Sequence, residues 1–339
     1  MSTSPAVVFR AVADVALEEK PVPVAGTGEL LIRTRMSLIS TGTELTLLAG
    51  EFPPESTWAQ LAGFPMQVGY SNVGEVVALG DGVDAGWLGR RVCSQASHAL
   101  HVVAPAATVR PVPDRVRDDE ATFFALSEIV MNGIRRAQLQ WGESAVIFGA
   151  GLLGQLAARF CRLCGARPVV VVDVADNRLE RLPEGDPAIV RVNAHQRPAA
   201  EVVSEATRGR LADVAFELTG LGELIPEQFK SLRREGRLVI LSAPRGRTDF
   251  DFHDLCCWPS YTIIGAHNSS TPQHETPGNP WTWHRHTEML FDLLESGEIT
   301  LAPLISHCEP YTHAPALYQM LLSDRSQAMG VVLDWTGAP

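Results

Sequence analysis

Gly149, Gly151 and Gly154 stand in G-x-G-x-x-G spacing. An apolar run, Ala145 to Phe148, precedes them, and Leu152, Leu153, Leu156, Ala157 and Phe160 follow at helical intervals. A second apolar run, Pro168 to Val172, ends in Asp173, 19 positions after the third glycine. These residue types in this order can hold a dinucleotide. Gly149 permits a tight turn, Gly151 lets the backbone approach a pyrophosphate, and Gly154 lets helix and strand pack closely. The first helical residues, Leu152 and Leu153, count among the contacts because a helix N-terminus offers free N–H groups to phosphate. A carboxylate at Asp173 can accept from ribose hydroxyls and would repel a 2′-phosphate, which predicts NAD over NADP. Arg178, five residues on, reads either as packing near the adenine edge or as softening that repulsion. Thr219, at the end of a later strand, completes the expected cofactor contacts.

The elements that must position these residues follow from periodicity. Residues 1 to about 113 read as mostly β, with short strands at Ala6 to Phe9, Leu30 to Arg35, Gly74 to Leu79 and Leu100 to Val103 between Pro and Gly turns. Asp118 to Leu139 reads as helical, with Asp118, Asp119 and Glu120 in its first turn. Glu128 and Asn132 lie one helical turn apart on one face of that stretch. From the glycine loop onward strands and helices alternate: strands at Asp213 to Leu218, Arg237 to Leu241 and Tyr261 to Gly265, with a helix at Leu224 to Leu232. That alternation demands a doubly wound parallel sheet, a Rossmann domain. Residues 267 to 287 form a long polar loop holding Trp281, Trp283, His284 and His286, which read either as a ligand platform or as anchors for the next helix. Helices at Glu288 to Ser296 and Ala314 to Leu322, and strands near Leu304 to Ser306 and Gly330 to Asp334, close the chain.

Composition narrows the function classes. The 339 residues suffice for two domains and a large core, and 45% apolar content with a mean hydropathy of +0.04 fits a globular protein. A net charge of −11 argues against nucleic acid as a partner, since phosphate binding needs a basic face. No apolar run is long enough for a membrane span and the N-terminus lacks a signal pattern, so a cytoplasmic protein is the simplest expectation. Six cysteines imply no disulfide framework, and Cys161-Arg-Leu-Cys164 reads as a helix-packing pair rather than half of a zinc site. Of the 28 basic residues only Lys20 and Lys230 are lysines, and neither lies in a motif, so no Schiff-base chemistry is expected.

Two further segments extend the pattern over nearly the whole chain. Ile39-Ser-Thr-Gly-Thr-Glu44 resembles the Cys-Gly-Thr-Asp segment of the medium-chain dehydrogenase/reductase superfamily, the zinc alcohol and polyol dehydrogenases. Gly69-Tyr-Ser-Asn-Val-Gly-Glu75 resembles its Gly-His-Glu-x-x-Gly segment, and Ser127-Glu128 falls at its third metal ligand. The closing stretch, Ile305-Ser-His307 to Val331-Val-Leu-Asp334, is similar to its C-terminal element. The resemblance implies a GroES-like, mostly-β catalytic domain over 1–120, completed by 275–339, around a Rossmann NAD-binding domain over 121–274. It also implies a homodimer joined along the strand at Tyr261 to Gly265, with a small-molecule substrate.

The departures from that pattern shape the expected chemistry. Thr41 and Tyr70 replace the Cys and His ligands, and the four-cysteine lobe is absent, so no bound metal is expected. The sequence looks most like the zinc-less branch containing relatives of bacteriochlorophyllide dehydrogenase. By the resemblance, Tyr70 faces the cleft as a donor to the substrate oxygen, Glu128 takes the proton, and Thr43 relays it; each also admits a plain packing reading. His98 and His101 are either packed histidines or substitute bases, or ligands of a rebuilt metal site with Glu128. The implied activity is zinc-independent, NAD-dependent hydride transfer with a secondary alcohol or ketone, and the polar loop with its Trp and His residues favours a sugar, cyclitol or glycoside. The alternatives are a large planar hydroxyethyl substrate of chlorophyllide type, or an NAD-binding protein that has lost its chemistry.

Overall fold

The computed structural model describes residues 2–338. The chain divides into two compact units, Met1–Leu126 with His284–Pro339, and Ser127–Trp283. The divisions fall a few residues beyond those expected at 120 and 274, because the helices Phe124–Arg136 and Trp283–Glu295 carry the chain across them.

The first unit is built on two sheets. Thr3–Ala11 pairs with Asp14–Pro21 and with Met66–Gln67. A larger sheet runs Ile305–Pro310, Gly330–Asp334, Glu29–Leu38, Asn72–Leu79, Arg91–Ser94 and Arg110–Pro111, with His101–Pro105 also on Glu29–Leu38. The C-terminal segment is thus hydrogen-bonded into the N-terminal sheet, Leu333 opposite Ser37. Asp14–Pro21 escaped the sequence reading because its Asp, Glu and Lys residues show no apolar alternation. Phe9, Tyr318 and Trp335 are fully buried at the core of this unit, where Phe9 meets Tyr318 edge-on at 5.1 Å. Each such side chain contributes roughly 1.5–3 kcal/mol through burial.

The second unit is one parallel sheet in the order Ile189–Asn193, Val169–Asp173, Ala145–Phe148, Ala212–Glu217, Leu232–Ile240, Thr262–Gly265. Numbered from the glycine-loop strand, this is 3-2-1-4-5-6, the doubly wound order that leaves a crevice where strands 1 and 4 diverge. Ala145–Phe148 and Val169–Val172 are buried on both faces, which is why they read as continuous apolar runs. Strand Ile189–Asn193 and helix Ala199–Ala206 were not expected; Arg191 and Asn193 break the apolar run. The helix expected at 224–232 is shorter, since Leu232 already starts the next strand. Cys161 is buried and Cys164 exposed, and burial pushes the Cys161 thiol up, away from reactivity. Among the described residues no helix is long and apolar enough to cross a membrane.

Candidate functional site

The glycine loop leaves the strand Ala145–Phe148 at the sheet's switch point. Gly149 holds φ +103°, a left-handed conformation that a side chain would strain, and a Cβ there would lie 2.8 Å from the Leu218 carbonyl oxygen. A Cβ on Gly154 would lie 1.8 Å from the Gly149 carbonyl oxygen, so helix and loop touch only because it is absent. Around Gly151 nothing lies within 4 Å of the same position, which leaves open space in front of the helix. The helix Leu152–Leu163 has no side-chain cap and no acid in its first turn. With neither a side-chain cap nor an acid of its own there, its first N–H groups form a donor set and cradle that fit a pyrophosphate.

Asp173 sits at the C-terminal end of the neighbouring strand. Its Oδ2 accepts from the backbone N–H of Ala150 at 2.7 Å, and its Oδ1 accepts from Val174 and Ala175 at 2.8 and 3.0 Å. Arg178 lies 3.8 Å from Oδ2, and only 6% of the Asp173 side chain is accessible. The carboxylate expected to meet ribose is thus also a brace between the strand end and the glycine loop.

Across the switch point, Thr219 donates its hydroxyl and N–H to Glu217 Oε1 at 2.5 and 2.7 Å, and Gly220 donates to the same oxygen at 3.1 Å. Ser242, after the next strand, donates to Glu217 Oε2. Glu217 is fully buried and ties two successive strand-end loops together. Sequence reasoning passed over it. The available signal was an acid ending a strand otherwise buried on both faces, since such a charge needs several donors.

In the same unit, Glu128 and Asn132 lie on the helix Phe124–Arg136, both buried. Asn132 donates to Ser270 Oγ at 2.9 Å, and Ser270 in turn donates to the His267 carbonyl at 2.7 Å. Arg135 stacks on Trp281 with its guanidinium carbon 3.0 Å from the ring centre, and the Trp283 indole donates to the Thr271 carbonyl at 3.1 Å. Asn132, Trp281 and Trp283 therefore fasten the polar loop that begins at 267.

The first unit places Tyr70 with its hydroxyl 2.5 Å from Ser40 Oγ and 3.5 Å from Thr43 Oγ1. Burial pushes the Tyr70 hydroxyl above its ordinary value, the Glu44 charge adds to this, and the hydrogen bonds with Ser40 and Thr43 oppose it. Tyr70 therefore stays protonated and acts as a donor. Ser40 was not singled out from sequence, because a lone serine beside a glycine turn carries no spacing signal.

Of the readings open for His98, the geometry supports the packed histidine: it is fully buried, with Nδ1 2.8 Å from Ser37 Oγ and Nε2 3.2 Å from Glu44 Oε2. Glu44 also accepts from the Ser40 N–H at 3.0 Å and from the Tyr318 hydroxyl, and the Trp335 indole donates to Ser37 at 2.9 Å. His98 thus belongs to a satisfied polar network and has no nitrogen to spare for a base or a ligand. His101 is half-buried, and burial lowers its pKa. His284 is bonded to the Ala107 carbonyl at 2.9 Å.

Known proteins resemble this chain both in sequence and in fold. The model described as Zinc-binding dehydrogenase matches residues 153–279. An L-threonine 3-dehydrogenase of Coxiella burnetii is 26% identical over 350 aligned positions, covering 94% of this chain and 95% of its own. Galactitol-1-phosphate dehydrogenase of Escherichia coli superposes with a TM-score of 0.81 at 16% identity, over 97% of this chain and 99% of its own. The chain is similar in sequence to zinc-binding dehydrogenases and shares the fold of that solved structure. A further Escherichia coli structure, described as a short chain alcohol dehydrogenase complexed with NADH, has a TM-score of 0.81 at 17% identity, over 98% and 100% of the two chains.

The description of the matching model, Zinc-binding dehydrogenase, implies zinc, and the residues present do not fit it. Zinc takes thiolate, imidazole or carboxylate donors. Thr41 and Tyr70 offer hydroxyls at two of the ligand positions, and the ring nitrogens of His98 are both engaged. Among the described residues no group of three or more His, Cys, Asp or Glu side chains is arranged to hold a metal.

Proposed function

We propose that this protein is a nicotinamide-dependent oxidoreductase acting on a CH–OH group, with NAD preferred over NADP and no catalytic zinc. The observation that carries the reading is the carboxylate of Asp173 held at the switch point on the amide of Ala150, inside a glycine loop shaped for a pyrophosphate. Gly149, Gly151, Leu152, Leu153 and Gly154 would hold the phosphates, Asp173 and Arg178 the adenosine end, and Thr219 the far side of the crevice. A bound nicotinamide cofactor would supply the hydride-acceptor chemistry. The chain's own work is to bind and polarise the substrate oxygen and to receive its proton. Tyr70, kept protonated by burial and backed by Ser40 and Thr43, is the proposed hydrogen-bond donor. Glu128, a buried carboxyl, is the proposed proton acceptor.

A polyhydroxylated substrate is favoured by the cluster of side-chain hydroxyls at Ser40, Thr43 and Tyr70, and a relative of the same fold is named for galactitol 1-phosphate. The test is a screen of sugars, cyclitols and simple secondary alcohols for NADH formation by the metal-free protein. Turnover that survives chelation, with NAD favoured over NADP, is expected. Tight NADH binding without turnover on any alcohol would leave only the silent, cofactor-binding alternative. Restoration of activity by added zinc alone would overturn the zinc-independent reading.

A further inference from the structure

Gln155 follows Gly154 in the glycine-loop helix and is fully buried. A buried amide is costly unless both of its ends are bonded. Here Nε2 donates to the Ala150 carbonyl at 3.1 Å, inside the glycine loop, and to the Arg178 carbonyl at 2.8 Å, in the turn after Asp173. Its Oε1 accepts from Arg159 Nη1 at 3.0 Å. Arg159, one helical turn on, also donates to the Gln155 carbonyl at 3.0 Å and through Nη2 to the Arg181 carbonyl at 3.2 Å.

All the hydrogen bonds of Arg159 go to neutral oxygens, although only 8% of the residue is exposed. Burial pushes its guanidinium down to about 10, so it remains charged at neutral pH. An apolar pair of similar volume would fill the same space at lower cost. What the polar pair adds is direction, because it fixes the carbonyls of Ala150, Arg178 and Arg181 relative to one helix. Ala150 is thereby held at both backbone groups: its N–H by Asp173 and its C=O by Gln155.

We infer that Gln155 and Arg159 are positioning residues for the adenosine end of the nucleotide, locking the glycine loop and the turn 174–181 into one frame. The inference rests on the nicotinamide reading above. The pyrophosphate would lie on the loop and the ribose beside Asp173, so a loosened frame changes the spacing between two halves of one ligand. Such a loss weakens binding without touching the reacting carbon.

Gln155→Leu, Arg159→Met and Arg159→Lys, each in the full chain, test this by calorimetric titration with NADH and with ADP-ribose. Amide hydrogen exchange over 149–151 and 174–181 is the second readout. Gln155→Leu and Arg159→Met should each weaken both ligands roughly tenfold, the effect of one or two lost positioning hydrogen bonds. Exchange should rise in both segments of the free protein, KM for NAD should rise with kcat unchanged at saturation, and Arg159→Lys should fall between. If Gln155→Leu does not fold, the two Arg159 variants decide by the same readouts. Parental ADP-ribose affinity in folded variants, with only a lowered melting temperature, would overturn the inference and leave a packing role. Failure of the parent protein itself to bind NADH or ADP-ribose would instead reject the nicotinamide reading.

Discussion

The backbone N–H of Ala150 donates to Asp173 Oδ2 at 2.7 Å, joining the glycine loop to the end of the adjacent strand. Two more N–H groups bond Oδ1. A carboxylate has about four lone-pair positions, so close to one remains for a ribose hydroxyl. Asp173→Asn keeps the size but replaces one oxygen by a donor, so at least one N–H loses its acceptor. NADH affinity should fall by roughly tenfold or more, through the lost hydrogen bonds and the lost charge together. NADPH affinity should fall less, because the repulsion of a 2′-phosphate is removed. Parallel titrations of both cofactors check this, and an unchanged NADH to NADPH ratio would reject Asp173 as the discriminator.

Gly151 and Gly154 should fail in different ways. A methyl at 154 would lie 1.8 Å from a backbone oxygen that cannot move without the loop, whereas a methyl at 151 meets nothing within 4 Å. Gly154→Ala should therefore lower the melting temperature as well as NADH affinity. Gly151→Ala should leave the melting temperature within a degree or two and still weaken NADH, because the methyl occupies the space proposed for phosphate. Equal thermal losses in the two variants would contradict the assignment of that space.

Much of this was legible in sequence because it is local. Ala145–Phe148 and Gly330–Asp334 are strands at the expected residues, and the glycine spacing located the loop. What stayed hidden depends on long-range pairing. His98 is sealed by Ser37 and Glu44, which come from other segments of its unit, and no spacing rule joins the three. Ser40 gains meaning only because the fold brings Tyr70, 30 residues away, within 2.5 Å. The roles of Trp281 and Trp283 stayed open for the same reason: their partners, Arg135 and Thr271, are revealed by packing rather than by period.

The network around Glu44 should make the protein sensitive to alkali. Burial, and the Glu44 carboxylate beside it, push the Tyr318 hydroxyl well above the ordinary tyrosine value. Above pH ~10 the unfolded chain loses that proton while the folded protein keeps it, so stability falls as pH rises. Tyr318→Phe should remove this part of the alkaline slope while costing about 1–3 kcal/mol at neutral pH, because Glu44 loses a donor. Denaturant melts at neutral and alkaline pH give both numbers. The idea fails if the two proteins show parallel pH profiles.

We expect a homodimer. The strand Thr262–Gly265 is a sheet edge whose outer N–H and C=O groups have no partner strand among the described residues. Ile263, on this strand, and Trp258, before it, are 39% and 67% exposed. Pairing with a second copy across a two-fold axis would satisfy the backbone and cover the side chains. Sedimentation at micromolar concentration should give twice the chain mass, and Ile263→Pro, which blocks the edge, should give the monomer. A monomeric parent protein contradicts the expectation outright.

The most direct test of the chemistry is the hydroxyl group 2.5 Å from Ser40. Tyr70→Phe removes the proposed donor to the substrate oxygen without changing the ring. Losing one donor aimed at a developing oxyanion costs a factor of about 10²–10³ in kcat. NADH affinity should stay within a factor of about two, because the proposed cofactor contacts involve other residues. Since burial raises the Tyr70 pKa, its proton is retained through the neutral range, and no activity should be lost to its ionisation below pH ~10. Ser40→Ala removes the hydroxyl's neighbour and should lower kcat less than Tyr70→Phe while shifting the alkaline limb of the profile. Glu128→Gln should lower kcat by a factor of about 10²–10⁴, because the proposed proton acceptor can then no longer take the proton. A Tyr70→Phe protein with parental kcat would move the donor role to Thr43, and Thr43→Val is the variant that would then separate the two hydroxyls.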